Sequence, residues 1–325
     1  MPDPAVPPRT AALLRSATGT LAAAGVPSPR ADAEILLGHV LGVDRGEVRR
    51  LALLDAEPAS LDDGVAAPHG AVADRFARLV ERRARREPLQ HLTGRAPFRH
   101  LELAVGPGVF VPRPETEQVA QVAIDEAAAV VARRGGAVVV DLCTGSGAIA
   151  LAVATEVPGA TVRAVELDAG AHAWARRNVA EAAEAAGRAA VVHLVRGDAR
   201  TALRELDGTV DVVVSNPPYV PPDAVPQDPE VSGHDPAVAL YGLGPDGLEV
   251  PRGIAAAAAR LLRPGGLLVM EHAEVQAAAA RDLVRAHGFE EAVTRPDLAG
   301  RPRMVVARRT GGAPGAPRTV TDWAG

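Results

Sequence analysis

The sequence contains no lysine, one cysteine, and only two tryptophans, two tyrosines and four phenylalanines in 325 residues. Each scarcity excludes something. A lone cysteine, Cys143, cannot close a disulfide within the chain. The fully cationic side chains are all arginine, acids outnumber them, and the net charge is −5. Nucleic-acid binding draws on phosphate neutralisation and on aromatic stacking, so this balance argues against it as the main activity. No uninterrupted apolar run of about 18 residues marks a membrane span. Met1-Pro2-Asp3-Pro4 lacks the basic and apolar regions of a secretory signal. The expectation is a cytoplasmic monomer without a membrane or stable nucleic-acid partner.

The length suits one large α/β domain with a smaller companion. The first ~87 residues read as short amphipathic helices, the period of their apolar positions being helical. One runs from Thr10 to Ala24. Another starts at Ser28-Pro29, where serine can cap and proline fits the first turn, sets Ile35, Leu36, His39 and Val40 on one stripe, and ends near Gly42. A third covers Gly46 to Leu54 and a fourth Ala71 to Arg86. The arginine-rich run from Glu81 to Glu87 reads as a solvated helix face, with an RNA or partner contact as the other reading.

Residues 88–112 read as a linker. Alternation in Pro97 to Val105 and Val109 to Val111 around Gly106-Pro107-Gly108 suggests a hairpin turning at those glycines. From 113 to 309 strand-like runs alternate with helical ones. The strands are expected at Ala137 to Asp141, Thr161 to Glu166, Ala190 to Val195, Val210 to Ser215, Gly266 to Glu271, Glu290 to Thr294 and Arg303 to Ala307. Helices are expected around Glu117 to Arg133, Ala148 to Glu156, Ala169 to Ala186 and Leu248 to Leu262. Such alternation implies a doubly wound, mostly parallel sheet. Residues 310–325, rich in glycine and proline, read as a disordered tail.

In such a sheet ligands bind beyond the carboxyl ends of the strands. The first strand ends at Asp141, and the turn Cys143-Thr144-Gly145-Ser146-Gly147 lets a ligand approach backbone that carries no Cβ at two positions. Glu166, at the end of the second strand, can accept hydrogen bonds from both hydroxyls of a ribose. Nicotinamide dinucleotides and S-adenosylmethionine both offer that ribose. Asp198, followed by Ala199, can meet an adenine amino group or cap a short helix.

The fourth strand discriminates between them. It ends in Asn216-Pro217-Pro218-Tyr219, in which two prolines fix the backbone and withhold their own N–H groups. The Asn216 carboxamide oxygen and the Pro217 carbonyl can then receive both hydrogens of a planar –NH2, with Tyr219 flat against the group. Hydride transfer has no use for this arrangement, whereas methyl transfer to an amide or amino nitrogen does. The transfer is an in-line displacement governed by proximity and orientation. No metal is expected, since the histidines show no zinc spacing with Cys143, and His234 and His272 read as structural.

At these residues the chain resembles the release factor glutamine methyltransferase (HemK/PrmC) family. The likeness extends to Glu87 to Gly94, to Phe110-Val111-Pro112-Arg113-Pro114-Glu115-Thr116-Glu117, and to His234 to Gly242 followed by Asp246-Gly247-Leu248. It implies a class I methyltransferase fold, a seven-stranded sheet carrying a small all-helical N-terminal domain joined by a β-hairpin. It implies S-adenosylmethionine as cofactor and N5-methylation of the glutamine in the Gly-Gly-Gln motif of class I peptide chain release factors. By the same likeness Asp141, Cys143, Thr144, Gly145, Ser146, Gly147, Glu166, Asp198, Ala199 and Asn216 contact the cofactor. Asn216, Pro217, Pro218 and Tyr219, with Arg113, Glu115 and Thr116, hold the substrate amide, and the helical domain, 1–87, grips the protein substrate. Cys143 stands where the family usually has glycine, and Ala199 replaces a bulkier neighbour of the cofactor. A ribosomal-protein glutamine methyltransferase, a nucleic-acid amino methyltransferase and a non-catalytic binding module are the competing readings.

Overall fold

The computed structural model describes residues 9–58, 71–187, 192–224 and 226–311. The chain forms two compact units, one within residues 1–95 together with 226–234, the other within 96–225 and 235–325.

The first unit packs the helices Thr10–Ala23, Pro29–Leu41, Arg45–Leu53, Ala71–Ala84 and Leu89–Thr93 around Leu14, Leu21, Leu36, Leu37, Leu41, Val48 and Phe76. Each fully buried leucine or phenylalanine contributes about 1.5–3 kcal/mol, which is what a small helical core has to offer against chain entropy. Pro29 opens its helix as expected, and Gly42 closes it in the left-handed conformation at φ 70°. Two expectations fail there. Ser28 occupies the cap position but its hydroxyl makes no capping bond, and His39 is exposed while Leu37 and Leu41 are buried. The helix meets neighbours over a broad face, so a single narrow stripe does not describe it.

The arginine run is also not a merely solvated face. Arg83 is buried, donating to Asp32 Oδ2 at 2.8 Å and to Glu230 Oε1 at 2.6 Å. Arg86 donates to Glu230 and to the Gly25 carbonyl, and Arg82 pairs with Glu87. Glu230 lies on the short helix Pro229–His234, which belongs to this unit although it is distant in sequence.

The second unit begins with a hairpin, β1 (Arg95–Phe98) and β2 (Leu101–Ala104). Its sheet contains β3 (Ala137–Leu142), β4 (Ala160–Glu166), β5 (His193–Arg196), β6 (Val210–Ser215), β7 (Leu262–Glu271), β8 (Phe289–Pro296) and β9 (Pro302–Arg309). The order across it is β5-β4-β3-β6-β7-β9-β8. β3 to β7 run parallel, and β9 is antiparallel to both β7 and β8. This is the class I methyltransferase arrangement. Helices Thr116–Arg134, Ala148–Glu156 and Ala169–Ala185 pack with one face of the strands, and Glu249–Leu261 and Ala277–Ala286 with the other. β6 is buried along its whole length, so its valines do not alternate with exposed polar residues, and its one carboxylate, Asp211, is paired with Arg134 and Arg263. The strand order reverses between β3 and β6, which opens a crevice at their carboxyl ends.

The hairpin turns elsewhere than expected, at Arg99-His100, and Val109 to Val111 is not a strand. Arg99 takes φ 54° and is held there by tertiary partners, its N–H donating to Glu117 Oε1 and its guanidinium to Glu156. Gly106 answers a packing demand instead, since a Cβ there would run into the Trp174 ring. The helix Ala277–Ala286 has no counterpart in the sequence reading. β5 starts at His193, and residues 190 and 191, like the tail from 312 onward, lie outside the described residues. Among the described residues no helix is long and apolar enough to cross a membrane, and no cluster of three metal-binding side chains occurs.

Candidate active site

A cavity of about 490 Å³ opens at the switch point of the sheet. Three layers of residues build it: the turn after β3, the acidic ends of β4 and β5, and the loop after β6.

The turn after β3 is held from below. Asp141 Oδ2 accepts from the Thr144 hydroxyl at 2.5 Å and from Ala150 N at 3.1 Å. Fully buried, this carboxyl is pushed up to about 7 by desolvation, against the pull of those two donors. Cys143 adopts φ 64°, a left-handed conformation that explains why glycine suits the position and that costs a residue with a Cβ about 1 kcal/mol or more. Gly145, at φ 59°, has open space where a Cβ would stand and lines the cavity.

Glu166 stands opposite. Its Oε2 accepts from Gly145 N and its Oε1 from Asp168 N, both at 2.8 Å. Burial raises its pKa against these backbone donors. Each oxygen keeps a free lone pair, so a diol can still be received there. Asp198 lines the wall with Ala199, and Arg200 binds it through both its N–H and its guanidinium, which holds the carboxyl below its usual range.

The loop after β6 carries Asn216, Pro217, Pro218 and Tyr219, all lining the cavity. Tyr219 N and Val220 N donate to the Leu240 carbonyl, Gly242 N returns to Val220 O, and Gln276 Nε2 holds the Tyr219 carbonyl at 2.9 Å. Gly242 and Gly247 sit so close to this loop that a Cβ on Gly247 would strike the Tyr219 carbonyl. The strand below is fastened by Ser215, whose hydroxyl donates to Leu142 O at 2.6 Å.

Behind Asn216 lies a buried polar chain. Asn216 Nδ2 donates to Thr116 Oγ1 at 3.3 Å, Thr116 Oγ1 to Glu271 Oε2 at 2.8 Å, and the Tyr219 hydroxyl to Glu271 Oε1 at 3.0 Å. Burial pushes Glu271 up to about 7, against the pull of Thr116 and Tyr219. Burial and the neighbouring Glu271 charge likewise drive the Tyr219 phenol above its usual range, so it stays a hydrogen-bond donor. Asn216 Oδ1 takes no hydrogen-bond partner among the described residues.

Most of the expected residues converge on this one place: Cys143, Thr144, Gly145, Ser146, Glu166, Asp198, Ala199, Arg113 and Thr116 join Asn216 to Tyr219 around the cavity. Three do not line it. Asp141 braces the turn from beneath, Gly147 begins the helix Ala148–Glu156 at φ 86°, and Glu115 precedes the helix Thr116–Arg134. Arg113 lines the cavity while donating to Asp235 Oδ2 and lying 5.0 Å over Phe110. His272 is buried, its Nδ1 against the Ala273 carbonyl at 2.8 Å and its Nε2 without a hydrogen-bond partner among the described residues. Sequence reasoning missed Glu271 and Gln276, together with Phe98 in the wall, whereas Phe110 and Leu240 lie in segments the resemblance had named. Glu271 did leave a signal, a carboxylate closing the apolar run Leu267-Leu268-Val269-Met270, but nothing in the sequence tells which strand lies beside it.

Comparison with known proteins agrees with this geometry. Residues 12–94 match the PrmC N-terminal domain and residues 113–228 the methyltransferase small domain. A release factor glutamine methyltransferase of Streptomyces coelicolor is 48% identical over 90% of this chain and 95% of its own. One of Bifidobacterium longum is 45% identical over 91% and 98%. A 4-amino-L-phenylalanine/4-methylamino-L-phenylalanine methyltransferase of Streptomyces pristinaespiralis is 41% identical over 90% and 93%. With a methyltransferase sheet, a cavity at its switch point and relatives aligned over nearly their full length, this chain is a methyltransferase and belongs to the release factor glutamine methyltransferase family.

Proposed function

We propose that the chain methylates the side-chain nitrogen of the glutamine in the Gly-Gly-Gln motif of class I peptide chain release factors, with S-adenosylmethionine as donor. The observation that carries this reading is the state of Asn216. Its Nδ2 is engaged by Thr116, which leaves Oδ1 as an acceptor at the edge of the cavity. An amide nitrogen is a poor nucleophile because its lone pair is delocalised into the carbonyl. Acceptors that hold both its hydrogens orient that lone pair, and orientation is the main contribution a protein can make to such a displacement.

The residues around the turn suit the donor. Gly145 leaves its Cβ space open, Glu166 keeps lone pairs for the ribose hydroxyls, and Phe98, Phe110, Leu240 and Ile254 supply apolar wall. When bound, S-adenosylmethionine supplies an electrophilic methyl on a sulfonium, whose departure needs no acid. In this reading the partner is a cytoplasmic protein, gripped in part by the helical unit, and Arg113 flanks the acceptor.

One relative is named as a methyltransferase of 4-amino-L-phenylalanine, an aryl amine, so a second kind of –NH2 acceptor belongs in the test. The test is therefore run on three acceptors: a purified release factor, a ribosomal protein and 4-amino-L-phenylalanine, each with labelled S-adenosylmethionine and mass-spectrometric location of the methyl. The reading expects label on the Gly-Gly-Gln glutamine, lost in Asn216→Ala. Transfer to another acceptor and none to the release factor would replace it.

A further inference from the structure

Asn216 is symmetric in shape: rotating its carboxamide by half a turn exchanges an acceptor for a donor at nearly the same place. A site that must receive two N–H groups therefore needs something to fix the rotation. Resting on the reading that Asn216 receives the acceptor amide, we propose that Glu271 is a positioning residue that acts through the Thr116 hydroxyl to keep Asn216 Oδ1 turned toward the substrate.

The chain of contacts leaves little freedom. An ionised carboxylate only accepts hydrogen bonds, so both Thr116 and Tyr219 must give their protons to Glu271. Thr116 has one proton, and at 2.8 Å it is committed. Its oxygen can then only accept from Asn216, and Nδ2 is the only atom of that carboxamide able to donate. Oδ1 is left for the acceptor –NH2. Without the carboxylate charge the Thr116 hydroxyl is free to rotate and donate to Oδ1. The amide then presents Nδ2 to the substrate, a donor facing a donor.

The strands enforce this pairing. β6 and β7 are in register with Ser215 opposite Met270, so Asn216, the first residue past β6, and Glu271, the last of β7, follow that pair side by side. Thr116, at the start of the helix Thr116–Arg134, is buried between them. The other groups bearing on Glu271 are Arg303, which favours its charged form, and Glu115, which opposes it; Arg303 is itself held by Asp297. His272, the next residue, is pushed below its usual range by burial.

The experiment compares wild type, Thr116→Val, Thr116→Ser, Glu271→Gln and the Val/Gln double variant. It measures kcat on whichever –NH2 acceptor the wild type methylates, across pH, with calorimetric S-adenosylmethionine affinity and thermal melting alongside. Thr116→Val keeps the shape and cuts the relay. It should lower kcat by roughly 10- to 100-fold, the scale on which groups that orient a reacting residue are felt, and leave cofactor affinity within about twofold. Thr116→Ser keeps the hydroxyl and should recover most of the rate. Because Glu271 acts through Thr116, the double variant should be no slower than Thr116→Val alone.

Wild-type kcat should fall as pH drops and Glu271 takes up a proton, and Glu271→Gln should remove the part of that acidic limb that Glu271 contributes, leaving the part due to Asp141 and Glu166 on the cofactor side. Wild-type kcat in Thr116→Val, or an unchanged limb in Glu271→Gln, would overturn the relay. Should Glu271→Gln fail to fold, the contrast between Val and Ser at 116 decides alone. A wild type that methylates 4-amino-L-phenylalanine instead of glutamine overturns the substrate reading while the same variants still test the relay. Transfer to no acceptor overturns both.

Discussion

Tyr219 and Glu271 are joined by a 3.0 Å hydrogen bond across 52 positions of sequence, tying the loop after β6 to the last residue of β7. The phenol thus does two things: its ring lines the cavity and its hydroxyl anchors the loop. Tyr219→Phe keeps the ring but strips a buried carboxylate of one donor, so chemical denaturation should show a loss of about 1–3 kcal/mol. With one fewer donor, the Glu271 carboxyl should also titrate higher than in the wild type, and the pH dependence of stability should extend upward.

Stability should fall as pH rises toward neutrality. Asp141 and Glu271 titrate at about 7 in the folded chain, above their ordinary values of 3.8 and 4.5. Between those limits the folded state holds protons that the unfolded state has released, so this contribution is complete below the ordinary range and is lost as pH climbs through about 7. Glu230 acts in the opposite sense. Burial alone would raise it, but bonds from Arg86, Asp228 and Arg83 outweigh burial and hold it far below 4.5, so its contribution is present above the ordinary value and disappears on acidification. Urea titrations should place maximal stability near pH ~5, and Glu271→Gln should flatten the decline above it by on the order of 2–3 kcal/mol.

Gly145 is the position where cofactor binding and stability can be separated. Its φ of 59° makes alanine strained by about 1 kcal/mol, yet no neighbouring atom obstructs the new methyl, which enters the space beside the cavity. Gly145→Ala should weaken S-adenosylmethionine binding in calorimetry by about tenfold or more while melting within a few degrees of wild type. Unaltered affinity would remove the turn from the cofactor site.

Arg83 holds two carboxylates in the helical unit, Asp32 at 2.8 Å and Glu230 at 2.6 Å. Arg83→Ala leaves Asp32 without its buried counter-charge and Glu230 with Arg86 alone, for which a loss of about 3–5 kcal/mol is expected. Arg85, exposed just past the end of the same helix, is the control: its alanine variant should change stability by no more than about 0.5 kcal/mol. Equal effects at the two positions would mean that the ion-pair network contributes nothing specific.

Much of this site was legible before folding was considered. β6 and the helix Ala148–Glu156 lie where their apolar patterns put them, and the glycine turn and the acid of β4 stand at one mouth. The hairpin was misplaced because Gly106 reads as a turn residue, whereas its lack of a Cβ serves the Trp174 ring. The positive φ of Arg99 is held by Glu117 and Glu156, which no local pattern reveals. Arg83 was misread for a related reason: a charged run looks solvated until a segment about 147 positions away supplies its acid.

What the sequence by itself determined was the set of local chemistries: a rigid Asn-Pro-Pro-Tyr turn, a left-handed glycine turn and a carboxylate at the end of a strand. Proline rings, missing Cβ atoms and apolar periodicity act over a few residues, and that is why they can be read in order along the chain. Only the tertiary structure decided that Glu271 and Thr116 stand behind Asn216. Parallel register is set by how the helices pack on both faces of the sheet, and no short stretch of sequence encodes which strand end lies beside which.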